Sequence, residues 1–178
     1  MTSLAPITTL SHASDTHLKT TLDLLFEPSP PLHALALPVL KSTVFPSYTI
    51  LASAIQSQLI ALASSSAPED AQKLSDILSS HPRLGEKKVE SAQSRAEQAQ
   101  LQQGAEEEKQ RLAELNREYE ERFPGLRYVV FVNGRPRPII MENMRARIDR
   151  GDIQAERLEA IQAMCDIAID RATKLQKD

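Results

Sequence analysis

Helix-forming residues dominate this chain, and they restrict its fold more than any other feature. Only five of 178 residues are glycine, while runs of Ala, Leu, Glu, Gln and Lys recur throughout. These side chains lose little rotamer freedom in a helix. A chain of this length also forms about one domain. We therefore predict an all-α fold, a single-domain helical bundle over residues 1–178, with residues 1–14 flexible and one short extended segment near 127–133.

Start and stop residues bound the predicted helices of the first half. Asp15 is the expected N-cap of the first helix, Ser47 caps a second long one, and Pro68 stands near the start of a third. Pro38 is expected to limit a short helix within "LHALALPVLKS", because proline cannot donate the helical hydrogen bond. The apolar stripes comprise Leu18, Leu22, Leu25 and Phe26, then Ile50, Leu51, Ala54, Ile55, Leu59 and Leu62, then Leu74, Ile77 and Leu78.

Further helices are predicted in the second half of the chain. Residues 91–103 form the first of these, Gly104 interrupts it, and residues 105–123 resume helical spacing. A long helix follows a break at Gly151 and ends the chain. The inward face of the 105–123 helix consists of Leu112, Leu115, Tyr119 and Phe123.

One passage, "LRYVVFVNGRPRPII", has the β-branched and aromatic content of a strand followed by an Asn-Gly turn. By itself the pattern indicates a hairpin. Pro136 and Pro138 weaken the second arm, because proline cannot donate to a strand ladder. We therefore predict one extended segment that leads into a helix from about Pro138.

The charge balance excludes several classes of partner. With 21 basic and 24 acidic residues the net charge is −3, and aromatic residues make up 4%. Such a chain has neither the positive charge to bind phosphates nor the rings to stack bases, so no nucleic acid is expected. No apolar run is long enough for a membrane span. The lone Cys165 suits a reducing compartment, and the final residues do not match a Ser-Lys-Leu peroxisomal signal, so we expect a cytoplasmic protein.

His81 and Glu97 are the two candidate catalytic residues that the local sequence offers. Pro82 holds the His81 backbone extended at a helix end, and the helix C-terminus would favour the protonated ring. The alternative is that His-Pro is only a helix stop. Glu97 fits a capping box that starts at Ser94, so it either caps a helix or faces a cleft as an acid–base group. No His, Cys or Asp partner stands at metal-ligand spacing, and we expect no metal.

From His81 onward five motifs occur in a familiar order: "HPRLG", "SRAEQ", "LAELNREYEERFPGLRYVVFV", "MRARI" and "AERLEAIQAMCDIAIDR". Over residues 77–175 the chain resembles the 2-oxo-4-hydroxy-4-carboxy-5-ureidoimidazoline (OHCU) decarboxylase family of uric acid degradation. The resemblance implies a helical fold and usually a homodimer. It also implies a decarboxylation that needs no cofactor and yields (S)-allantoin from the small ureidoimidazoline substrate.

Position by position, the resemblance implies that His81 and Glu97 are catalytic and that Pro82 lies beside the histidine in the substrate pocket. "FEPSP" stands where the family has a Glu-x-Ser-Pro-like element, and we do not assign its Glu27 and Ser29 to the site. The remaining substrate-binding residues implied are Ser94, Arg95, Ala96, Gln98, Tyr128, Val129, Val130, Phe131, Val132 and Arg147.

The expected mechanism is proton exchange between His81 and the substrate hydroxyl or developing enol, with Glu97 holding the hydroxyl and the ureido nitrogens. Two alternatives remain open. The charged stretch 105–123 and the divergent first third are also compatible with a non-catalytic helical interaction protein. Arg83, where the family often has Asp, is compatible with a decarboxylase of a related ureido acid.

Overall fold

The all-α prediction is confirmed by the computed structural model, which describes residues 3–86, 89–99 and 106–176. No β-strand occurs within these ranges. A 3-10 helix at Ile7–His12 precedes the α-helices. These are α1 (Asp15–Phe26), α2 (Pro30–Ser42), α3 (Tyr48–Ser64), α4 (Pro68–Leu78), α5 (Ala92–Gln98), α6 (Glu106–Arg122), α7 (Arg137–Arg150) and α8 (Ile153–Leu175).

The last helix, α8, is the central element of the bundle. It packs against α3 and α1, α3 also packs against α4, and α6 pairs with α7. The apolar face of α8 is fully inside and includes Cys165, as its helical setting predicted. None of the helices in the described part of the chain is long and apolar enough to cross a bilayer.

The predicted helix starts are correct to within one residue. Ser14, and not Asp15, is the N-cap of α1: its Oγ accepts a hydrogen bond from the His17 N–H at 3.3 Å. Asp15 is the first helical residue, where a carboxylate favours the positive end of the helix dipole. Ser47 caps α3 as predicted, accepting from the N–H of Ile50 at 3.2 Å. Pro68 is the first residue of α4.

Pro38 does not limit α2, and that expectation was wrong. The helix runs for 13 residues through the proline to Ser42. Pro38 leaves the carbonyl of Ala34 without its helical donor, but both residues face solvent. Water can therefore bond that carbonyl, and the proline costs the helix less than it would on a buried face.

Ile50 is the one member of the predicted apolar stripes that faces water, with 48% of its surface exposed. It lies in the first turn of α3, about 100° around the helix from Leu51, which is buried. The buried face of α3 follows the spacing from Leu51 through Ile55 to Leu59.

Residues 3–14, for which we expected flexibility, make specific contacts. The Leu4 N–H donates to the Leu175 carbonyl at 3.2 Å, and the Tyr48 hydroxyl donates to the Ala5 carbonyl at 2.7 Å. Leu10 is buried in the core. The N-terminal segment therefore connects the C-terminal end of α8 to the start of α3.

The predicted helix at residues 91–103 is confirmed as α5 up to Gln98. Positions 100–105, including the interruption expected at Gly104, lie outside the described residues. The break at Gly151 is confirmed, because this residue ends α7 in the left-handed conformation (φ 63°) that glycine adopts without steric cost.

The strand-like passage is a single extended segment, as predicted, and not a hairpin. Residues 126–132 have no helical or strand pairing, and Asn133 and Gly134 follow with φ of 45° and 71°. The chain then enters α7 at Arg137, close to the predicted start. Four of the segment's valine and tyrosine side chains are buried, so the segment packs directly against the hydrophobic core.

Replacing the α3 cap tests this account of the fold. Ser47→Ala removes the acceptor for the Ile50 N–H and should lower the free energy of unfolding by about 1 kcal/mol. Urea denaturation measures the change. Ser53→Ala is the matched control, since Ser53 lies exposed inside the same helix, and it should change stability by less than about 0.5 kcal/mol. An equal loss in both variants would contradict the assigned cap.

Candidate functional site

A cavity of about 310 Å³ opens where the end of α4, helix α5, the extended segment and α8 meet. Its volume suits a small polar molecule. Most of the residues expected at the site line it together, although they come from three separate parts of the chain. The predicted residues in its walls are His81, Pro82, Ser94, Ala96, Glu97, Gln98, Tyr128, Val129, Val130, Phe131 and Val132.

Two expected substrate-binding residues, Arg95 and Arg147, do not line this cavity. The Arg95 guanidinium turns back and donates to the carbonyls of Val89 and Glu90 at 2.8 and 2.9 Å. Arg147 lies behind the extended segment, where it pairs with Glu156. Both arginines therefore contact the protein around the cavity and not its interior.

His81 lies three residues beyond the end of α4 and is 5% exposed. Its Nε2 is buried and has no hydrogen-bond partner among the described residues. Burial, reinforced by the positive charge of Arg171, lowers the pKa of His81 to about 4, although the negative charge of Glu27 opposes the shift. The expectation of a ring kept protonated by a helix end was therefore wrong: desolvation outweighs the helix dipole.

Glu97 is not a helix cap, because Ser91 caps α5 instead by accepting from the Ser94 N–H at 3.2 Å. The Glu97 carboxylate receives two hydrogen bonds from Arg171, at 2.7 and 2.9 Å. This bidentate geometry is the strong form of a charge-assisted pair. Of the two roles that the sequence left open for Glu97, the structure removes the capping role and places the carboxylate at the cavity wall.

Arg171 is the most important residue that the sequence analysis missed. Its guanidinium is 2% exposed and also donates to Glu27 at 2.8 Å and to Ser94 at 3.0 Å. A buried cation needs such partners, since desolvation alone would be very unfavourable. The available signal was its position on the buried stripe of α8, beside Ile167 and Ala168.

Glu27 is the second residue that was missed, and its backbone is strained. It follows α1 with φ 71° and ψ 155°, a region that residues other than glycine rarely adopt. Its carboxylate is buried and accepts from the Ser94 hydroxyl at 2.6 Å as well as from Arg171. These tertiary bonds hold the strained conformation and join the end of α1 to α5 and α8.

The extended segment lines the cavity and has backbone donors without partners among the described residues. Its Val129 carbonyl accepts from Arg147 at 2.9 Å, and its Phe131 carbonyl accepts from Arg135. Within the described part of the chain, no backbone N–H of residues 128–132 donates a hydrogen bond to another protein group. A ligand in the cavity can therefore bond to this segment without displacing a protein contact.

Arg83, the residue for which a role in substrate selection was left open, does not line the cavity. Its guanidinium pairs with Glu120 on α6 at 2.5 and 2.8 Å and with Glu86 at 3.2 Å. The residue thus attaches the His-Pro corner to α6. Among the described residues, its side-chain hydrogen bonds go only to Glu86 and Glu120 and not to the cavity wall.

Metal and thiol chemistry have no support in the described ranges. No group of three or more His, Cys, Asp and Glu side chains there could hold a metal ion. Burial raises the pKa of Cys165 to about 12, with a smaller contribution from Asp166, so the thiol is not a nucleophile.

Comparison with known families agrees with the geometry. A model of the OHCU decarboxylase family matches residues 11–173, which is nearly the whole chain. This match confirms the resemblance suggested by the order of the motifs, and it extends over the amino-terminal third that holds Glu27. No curated protein matches the chain.

The buried His81 should make stability depend on pH. The pKa is about 4 in the folded protein and near 6.5 in an unfolded chain, so the unfolded state binds more protons between these values. This residue's contribution is fully present above pH 6.5 and is lost as the pH falls toward 4. Between pH 7 and pH 5 the loss should be about 2 kcal/mol.

Urea titrations of the wild-type protein and the His81→Asn variant at pH 7 and pH 5 measure this loss. The variant should lose about 2 kcal/mol less stability than the wild type over that interval. Equal losses would mean that His81 is not held neutral by burial.

Proposed function

Since this chain belongs to the OHCU decarboxylase family and decarboxylates OHCU in uric acid degradation, we propose that His81 is the proton-transfer group of the reaction. The observation that carries the proposal is the unpartnered Nε2 of a buried, neutral imidazole in the cavity wall. Such a nitrogen is ready to accept a proton from a bound hydroxyl.

The chemistry of the substrate defines what the site must do. The bond between the ring carbon and the carboxylate breaks, and its electron pair forms a carbon–carbon double bond in the ring. The π electron pair of the adjacent C=N bond moves onto the nitrogen, which takes a proton. The hydroxyl then loses its proton to become a carbonyl, while the carbon that bears the ureido group gains one. The substrate's own C=N bond accepts the electrons, so the protein needs only to position the ring and move protons.

His81 performs the second half of this sequence. The neutral ring takes the hydroxyl proton, and the resulting imidazolium returns a proton to the ring carbon. Arg171 disfavours the imidazolium while Glu27 stabilises it, so the charged ring forms only transiently and readily gives up its proton. Acid–base groups of this kind contribute roughly 10²–10⁴-fold to a rate.

Glu97 orients the substrate. Arg171 fixes both of its oxygens on one side, and each oxygen retains a lone pair that can accept from the hydroxyl or the ureido N–H groups. The pairing with Arg171 also limits rotation of the carboxylate. A pre-oriented acceptor is effective because the substrate then loses less freedom after binding.

The free N–H groups of residues 128–132 hold the opposite edge of the ring. With Glu97 on one side and this backbone on the other, the ring presents a single face to His81. Reprotonation on that face alone yields one enantiomer, (S)-allantoin. The buried valines around the segment keep water away from the carbon that is protonated.

We also propose that residues 1–178 form one domain, that the protein is a homodimer, and that it acts in the cytoplasm. One contiguous core supports the first proposal, and the lone buried Cys165 supports a reducing compartment. Sedimentation equilibrium tests the dimer: the measured mass should be twice 19.8 kDa. A mass of 19.8 kDa at micromolar protein would contradict it.

Turnover by His81→Asn tests the catalytic role directly. The substrate is unstable, so it is generated from urate with the two upstream enzymes, and circular dichroism follows the appearance of (S)-allantoin. The variant should lose at least about 100-fold in kcat, because the proton-transfer group is gone. Only the slow racemic background should remain.

His17→Asn is the matched control, since His17 lies exposed on α1 far along the chain from the site residues. It should retain wild-type kcat and KM. Far-ultraviolet circular dichroism checks that both variants are folded. Full activity in a folded His81→Asn protein would refute the assignment.

A further inference from the structure

A second polar cluster lies behind the extended segment, on the side away from the cavity, and centres on Glu156. This carboxylate in the first turn of α8 is completely buried. It accepts from the Arg147 Nε at 2.8 and 3.1 Å and from Arg150 at 2.9 Å. The Tyr119 hydroxyl donates to it as well.

Arg147 connects this cluster to the cavity wall. One terminal nitrogen donates to the Val129 carbonyl at 2.9 Å, and the guanidinium carbon lies 4.6 Å from the centre of the Tyr128 ring. Arg147 therefore contacts two consecutive residues of the wall without lining the cavity itself. It can affect a bound molecule only through the segment.

The orientation of Arg147 depends on Glu156. A buried guanidinium stays beside its counter-charge, because water cannot solvate it if the two groups separate. Burial by itself lowers the pKa of Arg147, and the hydrogen bonds and charge of Glu156 more than reverse that effect. Both groups are 3% exposed or less. Moving the carboxylate would move the arginine.

The extended segment needs such a support, since no strand pairs with it in the described ranges. Regular strands are held by ladders of backbone hydrogen bonds. Here side chains replace the ladder: Arg147 bonds the Val129 carbonyl and Arg135 bonds the Phe131 carbonyl. Helix α8 carries both Arg171, on one side of the cavity, and Glu156, behind the extended segment on the other side.

We propose that Glu156 is a positioning residue for the decarboxylation: it holds Arg147 against the Val129 carbonyl and so fixes the wall that binds the substrate. This inference rests on the substrate-binding role proposed above for residues 128–132. Glu156 touches neither the cavity nor the reacting atoms. Its effect should therefore appear in substrate binding more than in the chemical step.

The Glu156→Asp variant tests the proposal. Aspartate keeps the negative charge but withdraws the carboxylate by one methylene, which should draw Arg147 away from Val129. KM should rise about three- to tenfold while kcat stays within about twofold. This pattern is expected when a variant weakens binding of the substrate and of the transition state equally. Arg147→Lys should give the same pattern, because lysine keeps the charge but lacks the planar fork that reaches both partners.

Arg150→Gln is the matched control. Arg150 also bonds Glu156, but its side chain is 39% exposed, and no hydrogen bond joins it to residues 126–132 in the described part of the chain. This variant should lose some stability and keep wild-type KM. Should Glu156→Asp not fold, Arg147→Lys decides the question against the same control.

The outcomes separate this inference from the assignment of the site. Wild-type KM in both Glu156→Asp and Arg147→Lys, or a KM change no larger than that of Arg150→Gln, overturns the positioning role. His81→Asn is measured in the same series. If that variant is inactive while the other two keep wild-type KM, only the positioning role fails; an active His81→Asn refutes the catalytic assignment independently.

Discussion

A buried guanidinium organises this protein. Arg171 is almost completely enclosed, and the free energy of removing it from water has to be offset by groups that can accept its five N–H donors. Glu27, Ser94, Glu97 and the Leu25 carbonyl supply those acceptors from two other helices and the residue after one of them. The positions of α1, α5 and α8 relative to one another therefore follow from one side chain. The cavity is the space left beside it.

This arrangement also explains how one site contains both fixed and available groups. Ion pairs join Arg171 to Glu27 and Glu97, so these side chains have little freedom to reorient. His81 Nε2 and the backbone donors of residues 128–132 have no partner in the described structure. Unsatisfied buried polar groups are unfavourable for stability. Here they occur together, around the same cavity, where a ligand can supply the missing hydrogen bonds.

The sequence predicted most of the fold because helices are encoded locally. Helix ends are marked by chemistry within a few residues, as at Ser47, Pro68 and Gly151. Of the residues that the apolar spacing placed on buried stripes, Ile50 alone faces solvent. Pro38 was misjudged because its effect depends on solvent exposure, which is a property of the tertiary structure. His81 and the extended segment were also found from local residues, the first as a His-Pro pair at a helix end and the second as a β-branched run before two prolines.

The rest of the site could not be inferred, since it depends on partners that are distant in sequence. Arg171 pairs with Glu97 across 74 positions, and its place on the buried stripe of α8 indicates burial but does not identify a partner. The sequence from Ser94 to Glu97 matches a capping box. In the structure, however, Ser91 is the N-cap of α5, and Glu97 pairs with the distant Arg171. Arg147 was assigned to the substrate pocket from the family resemblance, and its actual partner, Glu156, becomes evident only when α7 and α8 are packed together.

The contact between Arg171 and Glu27 joins residues 144 positions apart, and this separation has a consequence for folding. Closing a loop of that length lowers the chain entropy before the contact can stabilise the protein. The helices and their caps, in contrast, form from neighbouring residues. The helices should thus form early and the cluster around Arg171 late. Partly folded forms would keep most of the helical signal yet lack the cavity, so catalytic activity reports completion of folding more faithfully than helical content does.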